Sequence, residues 1–148
     1  MALTFDQILE GLAALKAEDF GDSVPRQLFE LTDELMTVPQ PELGIPALFD
    51  VMERLPGADF GCPGPLVHTL EAMQGHYESE LIESVRRKPT PVSVWMINRI
   101  LNAARDPEET RAYLELLQFA AEHPAASEET REQALHFFNY QRGENGTD

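Results

Sequence analysis

The stretch ADFGCPGPLVHTLEAMQGHYESELIESVRRK, Ala58 to Lys88, decides how the rest of the chain is read. Its head carries Gly61, Pro63, Gly64 and Pro65, which are poor interior residues for either regular structure. Proline's preset φ and missing N–H nevertheless suit the first turn of a helix, so a helix starts near Pro65. From there Leu66, Leu70, Met73, Tyr77, Leu81 and Val85 recur at three- and four-residue steps, the signature of one buried helix side. His68, Glu71, Gly75 and Glu78 fall on the opposite side, with Gln74, His76, Glu80 and Glu83 around its edge. Arg86, Arg87 and Lys88 place cations at the negative end of the helix dipole, and Pro89 and Pro91 end the element. The pattern predicts one long helix, with shorter helices arranged around it. Gly75 is discordant, since an interior glycine costs about 1 kcal/mol against alanine. It either splits the helix at Gln74 to His76 or bares the backbone for close approach by another surface.

The flanking segments read as helices with their own start signals. Thr4 and Gln7 have capping-box spacing ahead of Phe5, Ile8, Leu9, Leu12 and Leu15. Glu18 to Asp22 reads as a connection. Ser23 is the expected N-cap of a helix with the stripe Val24, Leu28, Leu31, Leu35 and Met36, stopped by Pro39 and Pro41. A third helix spans about Ile45 to Arg54, with Ile45, Leu48, Phe49, Met52 and Leu55 inward. Beyond the long helix, Thr90-Pro91 opens a segment with Val94, Ile97, Ile100, Leu101 and Ala104 inward, and Trp95 is expected in the core. Asp106-Pro107 starts a helix using Tyr113, Leu114, Leu117 and Ala121, with Leu116 and Phe119 on a second face. Ser127 caps the last, where Ala134, Leu135 and Phe138 face inward. No stretch alternates as a strand does. The expected fold is all-α, about seven helices in antiparallel hairpins, as a short HEAT-like solenoid or an irregular bundle. Residues 1–141 are read as one domain, and 142–148 as a frayed polar tail.

The 148 residues can bury a sizeable core, and a hydrophobic fraction of 43% argues against disorder. Apolar runs fall short of the roughly 18 residues a membrane helix needs, and MALTFDQILE has no basic region before an apolar run, so a cytoplasmic protein is expected. The net charge of −15 disfavours nucleic acid and anionic lipid as partners and favours a basic one. Residues 1–54 hold 11 acidic and 3 basic residues, residues 55–100 hold 5 and 4, and residues 101–148 hold 10 and 4, so the acid sits toward both ends.

Little points to catalysis. Cys62 is the sole cysteine, which precludes an internal disulfide and a cysteine zinc cluster, and nothing in the sequence marks a base to activate it. His68 and His76 are eight residues apart, about 12 Å along a helix axis, too far to share a metal without further ligands. Phosphate loops, nucleophile elbows and H-E-x-x-H are absent from the sequence. No metal, cofactor, small-molecule substrate or enzymatic activity is expected.

The strings DFGCPGPLVHTLE, HYESELIESVRRKPTP and VWMINRILN, in a small acidic helical chain, resemble the helical immunity proteins encoded beside bacterial polymorphic and contact-dependent toxins. The resemblance covers Asp59 to Asn102. It implies a protein that binds the C-terminal domain of its cognate toxin, often a basic nuclease, and blocks it. Those families differ widely in sequence, so no individual binding residue carries over. From the residues themselves, the candidate partner-binding strip is the polar side of the long helix: His68, Glu71, Gly75, Glu78 and Glu80. Two other readings stand beside this one, a HEAT-like adaptor without a toxin partner and a small enzyme using Cys62 or His68.

Overall fold

A computed structural model describes residues 2–61 and 63–143; Met1, Cys62 and residues 144–148 lie outside the described residues. The fold is all-α, with eight α-helices, two short 3₁₀ turns and no strand among the described residues. The helices group into two compact units, Met1–Glu80 and Leu81–Asp148, the boundary falling inside α5.

The first unit contains α1 (Phe5–Ala14), α2 (Arg26–Leu35), α3 (Ile45–Arg54) and α4 (Gly64–Glu71). The capping box at Thr4 forms as its spacing dictates: the Thr4 hydroxyl accepts from the Gln7 N–H at 3.1 Å, and Gln7 Oε1 accepts from the Thr4 N–H at 2.9 Å. Against expectation, Ser23 caps nothing. The second helix begins three residues later, with Pro25 in extended backbone (ψ 145°) at its N-cap. The Glu18 to Asp22 connection contains a 3₁₀ turn that buries Phe20 edge-on against Phe60, centroids 5.1 Å apart. α1 packs on α2 and α3, and α2 packs on α4. Ile8, Leu12, Leu28, Leu48, Phe49 and Leu66 are fully buried there.

The end of α1 depends on a residue far along the chain. Its last carbonyls lack their full helical partners, the Leu12 carbonyl accepting only a 3.3 Å bond from the Leu15 N–H, and Arg54, closing α3, adds side-chain donors. Nη2 donates to the Leu12 carbonyl at 2.9 Å, Nη1 donates to the Leu15 carbonyl at 3.1 Å, and Nε is held by Asp50 Oδ2 at 2.7 Å.

The long helix predicted over Pro65 to Lys88 is two helices, α4 and α5 (Glu78–Arg87), joined by a turn. Its apolar stripe is nonetheless correct: Leu66, Leu70, Met73, Tyr77, Leu81 and Val85 are all buried. At the entry, Gly61 has φ 96°, and a Cβ there would lie 2.6 Å from the Gly64 Cα, so the chain turns into α4 only because Gly61 has no side chain.

The second unit contains α6 (Pro91–Ala103), α7 (Pro107–Ala121) and α8 (Glu128–Gln141), each packing on the other two. The N-terminus of α6 is buried, so its orphan donors must be met internally. Thr90 and Ser93 bond reciprocally through side chain and backbone, at 2.9 and 3.1 Å. Val94, Ile97 and Leu101 are buried as expected, and Met96 with them. Trp95 is a correction: it is half-buried, its ring covered by the Arg99 guanidinium 5.0 Å from the centroid, because it lies at the edge of the inward stripe. Leu135 is likewise 51% exposed, with Ala134 taking the buried position on α8. At the end of α8 the Gly143 N–H donates to the Tyr140 carbonyl at 3.0 Å, and Arg142 lies over Phe138; the rest of the tail, 144–148, lies outside the described residues.

Replacing Arg54 by Met should keep the aliphatic packing and remove the guanidinium donor from the Leu12 and Leu15 carbonyls, leaving Leu12 only the Leu15 N–H. A loss of about 1 to 2 kcal/mol in urea unfolding is expected, with Arg54→Lys recovering less than half, since an ammonium lacks the fork that spans two carbonyls.

Candidate functional site

The five residues of the expected strip all lie in the first unit, but the break at Gly75 changes their geometry. Seven-residue spacing puts Glu71 and Glu78 on one side only of an unbroken helix, and here Glu71 ends α4 while Glu78 begins α5. Gly75 itself adopts φ 96°, a region open mainly to glycine. A Cβ at that position would meet nothing within 4 Å, so the constraint is conformational and not steric. The residue's role is to form the turn that ends one helix and lets the next begin. A close approach by a partner is not needed to explain it.

Glu78 is committed to the same turn. Its carboxylate accepts the Gly75 N–H through Oε1 at 2.9 Å and Oε2 at 3.1 Å, like the return half of a capping box. It also sets negative charge at the start of α5, where the dipole favours it. Glu71, Glu78 and Glu80 are half-buried; His68 and Gly75 are exposed. The structure thus brings Gly75 and Glu78 together as one structural turn. His68 stands apart on α4, and Glu80 sits on the first turn of α5.

The exposed apolar residues of this unit escaped the sequence reading. Phe29 and Met36, 47% and 39% exposed, lie two turns apart on the outer stripe of α2, with exposed Asp33 between them and Glu30 beside them. Met36, expected on the inner stripe, is therefore on the outer one. Leu43, 60% exposed, follows in the 3₁₀ turn Pro41–Gly44, which Gly44 seats against the Leu35 side chain beside the end of α2. The available signal was Phe29, which fits no position of the Leu28, Leu31, Leu35 stripe.

Grouped by unit, the charge is also redistributed. Met1–Glu80 carries 15 acidic and 3 basic residues, a net −12, whereas Leu81–Asp148 carries 11 and 8, a net −3. Dividing the chain into sequence thirds hides this, because the acids of α4 and α5 as far as Glu80 belong with the N-terminal ones.

Among the described residues, no cluster of three or more His, Cys, Asp or Glu side chains could hold a metal ion, and no helix is long and apolar enough to cross a membrane. No protein-family model, curated protein or solved structure matches this chain.

If Gly75 serves the turn, Gly75→Ala should cost about 1 to 3 kcal/mol of stability, the usual range for an unfavourable backbone region. Glu78→Ala should cost about 1 kcal/mol as a lost cap. Because both act on one turn, urea denaturation of the double variant should show less than the sum.

Proposed function

We propose that the protein is an immunity protein, which binds a cognate toxin domain through the acidic surface of its first unit and so neutralises it. The observation that carries this reading is the concentration of charge: −12 on 80 residues, with only Lys16, Arg26 and Arg54 opposing it. Such a field raises the encounter rate with a basic partner, such as a nuclease domain, and occupies the site where that enzyme holds its own polyanionic substrate.

Charge alone does not fix an orientation. Exposed Phe29, Met36 and Leu43, with Glu30, Asp33 and Glu42 near them in the sequence, are suited to anchor the complex once it has formed, since apolar and aromatic side chains carry most of the energy at interface centres. His68, Glu71 and Glu80 extend the polar surface of the same unit. Glu78 and Gly75 belong to its framework, so substitutions there disturb the turn as well as any contact.

The test is coexpression with toxin domains encoded immediately upstream of the gene, scored by rescue of growth, followed by binding kinetics at two salt concentrations. The association rate should fall at least on the order of tenfold from low to physiological salt. Glu30→Lys with Asp33→Lys should slow association, and Phe29→Ser with Met36→Ser should speed dissociation. Failure of every neighbouring toxin to be neutralised would favour an adaptor. Equal losses from charge reversal on α8 (Glu128→Lys, Glu129→Lys) would mean a diffuse field with no docking surface.

A further inference from the structure

The second unit holds a half-open groove of about 670 Å³ between α5 and α7. Ile82 of α5 and buried Leu116 of α7 form its apolar floor, and exposed Ala112 leaves room at its middle. Phe119, 47% exposed, lines its far end. The two walls are fixed there by His123. Its Nδ1 accepts the Ala125 N–H at 3.0 Å, so Nε2 carries the proton and donates to the Arg86 carbonyl at 2.7 Å, tying the last turn of α5 to the end of α7. The His123 ring also stands edge-on to Phe119, 5.3 Å between centroids. The groove is therefore pre-formed, which lowers the ordering cost of filling it.

Its walls carry opposite charge. Arg86 lines it from α5, Glu109 and Glu115 line it from α7, and none of the three makes an ion pair among the described residues. An anionic amphiphile would satisfy Arg86 but face two carboxylates, and a purely cationic segment would do the reverse. An occupant with an apolar ridge and flanks of opposite sign satisfies floor and both walls together. We propose that this groove receives an amphipathic helix of a partner protein, its acidic flank against Arg86 and its basic flank against Glu109 and Glu115. This inference rests on the second unit alone, and it stands or falls separately from toxin neutralisation by the first.

The probe is a synthetic helical peptide of about 15 residues with a leucine ridge, glutamates on one flank and lysines on the other, titrated into the full-length protein by calorimetry and amide chemical-shift mapping. Binding should shift the amides of Ala112 and Phe119. Ala112→Arg, which fills the groove from an exposed position and should leave the melt unchanged, should weaken binding by about tenfold or more. Arg86→Glu should weaken the mixed peptide too, and changing the peptide's glutamates to lysines should restore it on that variant. No binding at millimolar peptide, or equal affinity for Ala112→Arg, overturns the proposal. So does an all-lysine peptide matching the mixed one on the unmodified protein, which would reveal diffuse attraction. Decanoate displacing the peptide and holding the groove more tightly would make it a small-molecule site and overturn the helix reading as well.

Discussion

The structure depends on satisfying the ends of short helices. A helix leaves up to four N–H groups and four carbonyls without internal partners, whatever its length. Here the helices run from 8 to 15 residues, so terminal groups form a large share of the backbone polar inventory. Four N-terminal ends are met by adjacent side chains: Thr4 with Gln7, Thr90 with Ser93, Asp106 and Ser127. At two C-terminal ends side-chain donors arrive from elsewhere, Arg54 on the carbonyls of Leu12 and Leu15 and His123 on that of Arg86, while Arg131 donates to the carbonyls of His123 and Ala126 in the turn between α7 and α8. These side chains thereby hold elements against one another as well as closing a helix.

That asymmetry explains what the sequence disclosed. An N-cap and its partner lie three residues apart, so Thr4, Thr90, Asp106 and Ser127 could be read directly, and with them the starts of α1, α6, α7 and α8. Arg54 reaches back 42 residues to Leu12, and His123 reaches back 37 to Arg86; nothing in local spacing announces either contact. The inward stripes were legible for the same local reason. Leu66 with Leu70 and Leu81 with Val85 each keep the four-residue step inside their own helix, and Met73 and Tyr77 are buried in the turn between. A periodic pattern therefore survived a break in the helix that carried it, and only Gly75 recorded the break. Trp95 and Leu135 failed differently. Each is apolar but lies at the edge of its stripe, where size and hydrophobicity do not say which side the core is on.

The candidate site was less legible than the fold, because its logic depended on continuity of that helix. Once α4 and α5 separate, shared register between Glu71 and Glu78 no longer follows, and Glu78 gains a structural duty at the Gly75 N–H. A carboxylate that closes a turn and one that waits for a basic partner look identical in sequence. The difference is the backbone donor within 3 Å, which appears only after the chain has turned.

Charge imposes a further constraint on any partner-binding role. Individual exposed carboxylates contribute little to affinity at physiological salt, because solvent and ions screen them and long side chains must be ordered to use them. A unit at −12 can therefore attract a basic protein quickly from any direction without holding it in one pose. Pose and lifetime have to come from groups that lose water on contact, and on the first unit the large exposed ones are Phe29, Met36 and Leu43. Phe29 and Met36 share one stripe of α2, whose opposite side is pinned into the core by Leu28, Leu31 and Leu35. In an immunity protein of the kind proposed, a helix presenting two apolar side chains two turns apart inside an acidic field would separate the two tasks: the field would govern encounter, and the stripe would govern release.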